Sequence, residues 1–317
     1  MDRRTRLVTL AAAMIGEGSK SFAAASRLFN RTTRERVWLL YAWCRRCDDL
    51  IDGQDLGGEM GDQSAVTERL QQVRALTTLA LAGGDTGEPA FDCLGVVAAE
   101  TGLTQAMADA VIAGFALDAR GWSPQTEADL MQYCWHVAGA VGVMMAVVMG
   151  VAPDDDETLD RACDLGLAFQ LANISRDLAE DFAAGRCYLP AQWLAEAQIP
   201  AHDALNPRYR DALAGLAARM CSMAAAYESS ARIGAQRLEM RQRWAILAAA
   251  GIYGDIARLV KRRGASAWDT RTVVSTTRKI GWIGRSLVQT MLPVTARMHE
   301  LAAPLRHTRH ELAQRVL

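Results

Sequence analysis

The sequence predicts an all-α protein, and three observations carry that prediction. Half of the 317 residues are hydrophobic, while proline, the strongest helix breaker, occurs only 8 times. Helix-start signals recur along the chain, each followed by apolar residues at helical spacing. Strand-like alternation is almost absent, and no glycine-rich phosphate loop follows a strand-like run. With no internal repeat and no low-complexity linker, residues 1–317 read as a single-domain helical bundle, long enough to bury a large core.

The elements follow in chain order. Arg3, Arg4 and Arg6 precede LVTLAAAMI, a pattern like the start of a signal peptide. No small-residue cleavage site follows, and the charged GEGSK runs into another helix-like stretch, so an amphipathic first helix is expected. Thr32 with Glu35 reads as a capping box for a run that ends at Gly53, and the glycine-rich stretch 53–63 reads as a mobile loop. Ser64 opens a run to Gly83, and Thr104 opens one to Gly121. Thr126 with Asp129 starts a helix that carries no Asp, Glu, Lys or Arg from Leu130 to Ala152. That span is long enough to cross a bilayer, but Gln132, Tyr133, His136 and its many small residues point to a buried bundle helix instead. Pro153 and Asp154 to Asp156 mark a turn and an acidic helix start, with apolar periodicity continuing to about Ala184. Further helices are expected at 207–232, 240–263, 271–289 and 293–303.

Charge and cysteine usage narrow the function classes. The net charge of −1 hides an asymmetry: residues 232–317 hold 16 Lys/Arg against 5 Asp/Glu, so they carry +11 and the rest carries −12. Acidic and basic parts of this kind suit an anion bridged by cations, and no nucleic-acid partner is expected. KRRG at 261–264 could steer such an anion or touch anionic lipid, with a solvated surface as the plain alternative. Seven cysteines, an odd number in a long chain, argue for a reducing compartment. Cys44 and Cys47 form a C-x-x-C, but no second cysteine pair or nearby histidine completes a zinc set.

The chemistry is concentrated in two acidic stripes. QLANISRDLAED at 170–181 places Asn173, Asp177 and Asp181 four residues apart, and YAWCRRCDDLID at 41–52 places Asp48 and Asp52 at the same interval, with Asp49 between them. On a helix each such set shares one face, where like charges cost roughly 0.2–0.5 kcal/mol per pair and more in a dry setting. A solvated face would explain one pair. Two pairs flanked by Leu39, Leu40, Tyr41 and Trp43 or by Phe169, Leu171 and Ile174 call for partners, and oxygen-rich stripes suit a hard cation such as Mg²⁺.

These segments resemble the squalene and phytoene synthase family of isoprenoid enzymes, its bacterial carotenoid-pathway members above all. The resemblance runs through GSKSF at 18–22, YAWCRRCDDLID at 41–52, YCWHVAGAVGVMM at 133–145, LGLAFQLANISRDLAEDFAAGRCYLP at 165–190 and AWDTR at 267–271. It implies a class I terpenoid synthase fold with a central apolar cavity. It also implies that Asp48, Asp52, Asn173, Asp177 and Asp181 hold Mg²⁺, with Mn²⁺ as a substitute, and that the four aspartates count as catalytic together with Tyr253. Ser21, Tyr41, Arg45, Arg176 and Arg271 fall where the family binds substrate diphosphate, with Ser19 bordering the same pocket. Ser175 stands where many relatives carry a larger apolar residue.

The implied reaction joins two geranylgeranyl diphosphates head to head, without a reductant, to give phytoene, the first committed step of carotenoid synthesis. Squalene or dehydrosqualene synthesis from farnesyl diphosphate is the alternative. Chain-elongating prenyltransferases share DDLID but usually carry a second DDxxD, and non-catalytic helical relatives would be expected to lose the acidic ligands. Greasy substrates imply a cytoplasmic chain working peripherally at the inner face of the membrane, in association with other carotenoid-pathway enzymes. The small residues Ala138, Gly139, Ala140 and Gly142, with Ala23, Ala24 and Ala25, either leave room for hydrocarbon tails or allow close helix packing. Tyr133, His136 and Phe22 either steady a cation or fill the core.

Overall fold

The computed structural model describes residues 1–53, 65–292 and 307–314, apart from the side chains of Lys20 and Ser21. Among the described residues every regular element is helical, as the composition predicts. The Asp2 side chain caps α1 (Arg3–Gly18), and Ser19 caps α2 (Lys20–Ser26). Helix α3 (Arg31–Asp52) starts two residues earlier than expected. Asn30 is its cap, accepting from the Thr33 N–H at 2.9 Å, and Thr32 lies inside the first turn. Asn caps better than Thr, and Glu35, the other half of the expected box, is drawn into ion pairs with Arg4 and Arg31. The helix ends where expected, at Gly53 with φ 66°.

Helix α4 covers Val66–Leu81; Ser64, the loop 54–63 and the helix expected at 293–303 fall outside the described residues. Helix α5 (Pro89–Thr101) was not anticipated, although proline at its first position is a legible start signal. Thr104 caps α6 (Gln105–Asp118), and the Thr126–Asp129 capping box opens α7 (Glu127–Cys134) as predicted. A π turn at Trp135–Gly139 then leads into α8 (Ala140–Val148). Glu127–Val148 is long and apolar enough to cross a membrane, but 67% of its most apolar window is buried inside the protein, which is how a core helix behaves. The chain continues through α9 (Asp156–Ala183), α10 (Ala191–Glu196), α11 (Arg210–Gly234) and α12 (Met240–Arg263). Helix α13 (Thr276–Met291) begins five residues later than the pattern suggests, because Ser275 supplies its cap, and α14 (Arg309–Gln314) follows.

The chain forms two compact units, Met1–Arg120 with Val143–Leu159, and Gly121–Gly142 with Asp160–Leu317. In the first, α3 packs on α1 and α5, and α4 packs on α5 and α6. Trp43, Leu39, Leu40, Phe91 and Leu94 are fully buried there, and the Trp43 indole N–H donates to Thr77 Oγ1 at 3.2 Å. Arg4 ties α1 to α3 and α5 through Glu35 and Glu100, both at 2.6 Å. In the second unit α12 packs against α11 and α13. Tyr133 is 3% exposed and stacks between Tyr188 (4.8 Å) and Trp122 (5.5 Å), so it fills the core.

The small residues around the π turn permit a close helix approach. A Cβ on Gly142 would lie 2.3 Å from the Ala162 carbonyl oxygen, and one on Gly166 would lie 2.2 Å from the Ala138 oxygen. Both obstacles are backbone, which cannot swing aside. Gly142→Ala is therefore expected to cost roughly 1–3 kcal/mol or more in denaturant unfolding. Gly16→Ala, where a Cβ meets nothing within 4 Å, should be neutral or mildly stabilising.

A buried polar cluster sits in the same unit. Ser230 donates to the Asp164 carboxylate and accepts from Arg161 at 2.8 Å, while Arg309 pairs with Asp160 at 2.8 Å. Burial pushes the Asp164 carboxyl up to about 7, with the Ser230 hydrogen bond and Arg161 opposing and Asp160 adding to the shift. The unfolded chain would release this proton near 3.8, so the folded state holds one more proton between about 4 and 7 and loses stability as pH rises through that window. Asp164→Asn should raise the melting temperature at pH 8 and leave it nearly unchanged near pH 4; equal shifts at both would contradict the linkage.

Candidate functional site

In the first unit the site residues lie on the last turns of α3. Apolar positions Leu39, Leu40, Trp43, Cys47 and Ile51 are buried, which leaves Asp48 and Asp52 on a partly open face. Arg45 donates to Asp48 at 3.1 Å and to the buried Asp49 at 2.6 Å, so Asp49, which the sequence leaves between the two ligand positions, is claimed by the core. The Asp48 carboxyl is pushed up to about 6, first by burial and then by Asp52, Asp49 and Asp118, with Arg45 opposing. Its side chain still keeps 44% of its surface open, so the like-charge part of that shift is what an added cation would reverse.

Asp118, at the end of α6, belongs to this acidic group and was missed by sequence reasoning. The other acid of its helix, Asp109, is nine residues away, so no i, i+4 pattern announces it. Tyr41 approaches the chain at Gly18, where a Cβ would lie 2.4 Å from the phenol oxygen, and its ring lies 5.7 Å from Phe22. Gly18 of the GSKSF segment thus makes room for Tyr41. Ser19 spends its hydroxyl on capping α2, accepting from Phe22 N at 3.3 Å, and the Ser21 side chain lies outside the described residues.

In the second unit α9 buries Leu171, Ala172, Ile174 and Leu178 and turns Asn173, Arg176, Asp177 and Asp181 to a partly open face. The Arg176 guanidinium binds both carboxylate oxygens of Asp177. Burial opposes its charge, yet the Asp177 hydrogen bonds raise its pKa overall. Arg271 reaches Asp177 at 3.1 Å and Glu180 at 2.8 Å. The neighbouring Trp268 explains how Arg271 is placed, since its indole N–H donates to the Ser175 carbonyl at 3.1 Å and pins the 267–271 segment to α9. Ser175 itself is fully buried, and its hydroxyl donates to Leu171 O at 2.7 Å, which satisfies a polar group where a larger apolar residue would otherwise pack. Tyr253 stacks on Phe169 at 4.1 Å, one helical turn before Asn173.

The donor set fits a hard divalent cation: every assigned ligand is a carboxylate or amide oxygen. Among the described residues no three His, Cys, Asp or Glu side chains come together as a group that could hold a metal ion. The guanidinium groups of Arg176 and Arg271 recognise carboxylate and phosphate by the same planar geometry. Near Phe169 the second unit holds an apolar cavity of about 150 Å³, lined by Ala168, Ala224, Ala250 and Gly254, below the roughly 300–1,000 Å³ usual for a ligand pocket. All seven cysteines are free thiols, and burial raises the pKa of both Cys44 and Cys47, which makes them poor nucleophiles and metal ligands.

The chain matches the family model described as squalene/phytoene synthase over residues 15–279. It is 43% identical over 286 residues to a phytoene synthase of Pseudescherichia vulneris, covering 90% of this chain and 92% of that one. It is 45% identical over 265 residues to a 15-cis-phytoene synthase of Pantoea ananas, covering 83% and 85%. A crystal structure of a dehydrosqualene synthase in complex with ligand superposes with a TM-score of 0.81 at 26% identity, covering 91% of this chain and 99% of that one.

The Arg45 contacts yield a stability test. Removing this guanidinium by Arg45→Ala leaves the 2%-exposed Asp49 short of its 2.6 Å cation. Breaking a buried pair from one side costs roughly 3–5 kcal/mol, and because Arg45 is itself partly exposed the loss should fall at or below the low end of that range. Unfolding of Arg45→Ala, Asp49→Ala and the double variant should show the double losing less than the sum of the two single losses; a loss equal to that sum would show that the pair is not coupled.

Proposed function

The chain belongs to the squalene/phytoene synthase family, and from that membership we propose that it condenses two geranylgeranyl diphosphates head to head to phytoene. The family makes it a divalent-metal-dependent transferase acting on prenyl diphosphates. The observation that carries the reading is the gathering of Arg176 and Arg271 on Asp177, in the stripe that begins at Asn173. That stripe supplies oxygens and guanidinium groups of the kind a prenyl diphosphate requires, and Asp48 and Asp52 on α3 supply further carboxylate oxygens.

Asp48, Asp52, Asn173, Asp177 and Asp181 are assigned to hold Mg²⁺, for which Mn²⁺ can substitute. When bound, the ions stabilise the negative charge that grows on the departing diphosphate. Arg45, Arg176 and Arg271 bind and orient diphosphate oxygens, which the planar guanidinium fork matches bidentately. Ser21 and Tyr41 border the same group, and Tyr253 is placed with the catalytic residues. One diphosphate ionises, the alkene of the second molecule attacks the allylic cation, and proton loss closes the cyclopropane of prephytoene diphosphate. Loss of the second diphosphate, rearrangement and a second proton loss give phytoene. The apolar residues flanking both stripes exclude water, which would otherwise trap the cations. The chain is placed in the cytoplasm, peripheral at the inner face of the membrane and associated with other carotenoid-pathway enzymes, because substrate and product are both lipophilic.

Two experiments test this. Purified chain with Mg²⁺ and geranylgeranyl diphosphate, without reductant, should yield a hydrocarbon with the ultraviolet absorption of a central conjugated triene. Product that forms only with NADPH, or only from farnesyl diphosphate, would move the chain to the squalene or dehydrosqualene branch. Asp52→Asn and Asp177→Asn should each lower kcat by about a hundredfold or more with helical content intact, since each removes a ligand charge at constant side-chain length. Near-normal turnover at saturating Mg²⁺ would defeat the ligand assignment.

A further inference from the structure

Helix α13 is built with its polarity reversed. Its inward face buries Ser286 (0% exposed) and Thr290 (5%), while its outward face exposes Ile280 (64%), Val288 (57%) and Met291 (69%). Of the nine large hydrophobic residues exposed among the described residues, five fall between Val273 and Leu292. Ile280, Gly284, Val288 and Met291 are spaced by four, four and three residues, so they form one continuous stripe, and its neighbours Thr277, Gly281 and Leu287 add no charge. A helix lying against solvent normally shows the opposite pattern.

One flank of that stripe carries two exposed arginines, Arg278 and Arg285. The Trp282 ring carries three guanidinium groups, from Arg258 at 4.9 Å, Arg285 at 5.2 Å and Arg232 at 5.5 Å. Arg278 joins the group through Asp255 at 2.7 Å. Glu228 and Asp255 are the carboxylates paired within this cluster, so four arginines leave it at +2. Its four arginines lie within the 232–317 region that carries +11.

We propose that this outer face of α13 docks the chain onto an anionic bilayer, with Ile280, Val288 and Met291 among the acyl chains and the exposed Arg278 and Arg285 at the headgroups. An uncharged apolar stripe beside a basic flank is the pattern of a helix that lies in the plane of an interface. With 16 residues α13 falls short of the roughly 20 needed to span a bilayer, so it lies along the surface. A second copy of this chain is a poorer occupant, because two-fold pairing would set one basic flank close to another.

The docking face rests on the reading of the chain as peripheral at a membrane, and flotation with vesicles separates the two. The unaltered full chain should float with vesicles of phosphatidylcholine and phosphatidylglycerol, float less with phosphatidylcholine alone, and be released by raised salt. Ile280→Glu/Val288→Glu should lower partitioning by about tenfold or more, with helical content, melting temperature and turnover of detergent-dispersed substrate unchanged. Arg285→Glu should weaken binding to the anionic vesicles alone. If the unaltered chain floats with neither vesicle, the peripheral reading fails and takes this face with it. If it floats and the double variant floats equally well, the peripheral reading stands and this face is wrong. A solution dimer that the double variant dissociates, in a chain that ignores vesicles, would assign the stripe to a second copy and overturn the proposal.

Discussion

Carboxylates set one helical turn apart repel one another, and in an apolar bundle that repulsion is met by holding a proton or by bringing cations to them. The two acidic stripes of this chain meet it in different ways. On α3 a single guanidinium, Arg45, serves two aspartates, and one of these, Asp49, is buried. Asp48 remains crowded by Asp52 and Asp118, with its carboxyl pushed up to about 6. On α9 two guanidinium groups from distant points in sequence, Arg176 and Arg271, converge on Asp177. The surrounding structure serves these placements. Trp43 and its neighbours fix one face of α3 in the core, while Trp268 fastens the Arg271 segment to α9 through a backbone carbonyl.

The same groups that neutralise the stripes are the ones suited to diphosphate. A guanidinium bound to a carboxylate can exchange it for phosphate oxygens, because both acceptors offer the same paired geometry. A carboxylate crowded by like charge gains from a divalent ion more than an isolated one would. Under the proposed function, the electrostatic demand within the protein and that of the leaving group would be met by the same kinds of residue.

Much of this was legible in the sequence. Helices α6, α7, α9 and α12 carried their own start signals or unbroken periodicity, and both stripes followed from four-residue spacing. What escaped the sequence depended on contacts between distant segments or on competing local choices. Asn30 displaced Thr32 as the cap of α3 because Glu35 had stronger partners in Arg4 and Arg31. Asp118 has no periodic companion on α6, so only the fold shows it beside Asp48. The small residues near the π turn left two readings open, and the 2.3 Å approach at Gly142 settles that this one serves helix packing. Helix α13 was expected as an ordinary helix, and its reversed polarity became visible only when burial showed which face it turns inward.

The central claim is that the two acidic stripes bind diphosphate through divalent ions while the arginines complete the contact. Calorimetric titration of inorganic diphosphate into the unaltered chain, with and without Mg²⁺, tests it most directly. The account predicts strong binding that requires Mg²⁺ and is lost in Asp52→Asn and Asp177→Asn alike. Binding of equal strength in the absence of any divalent ion, or undiminished in both variants, would contradict it.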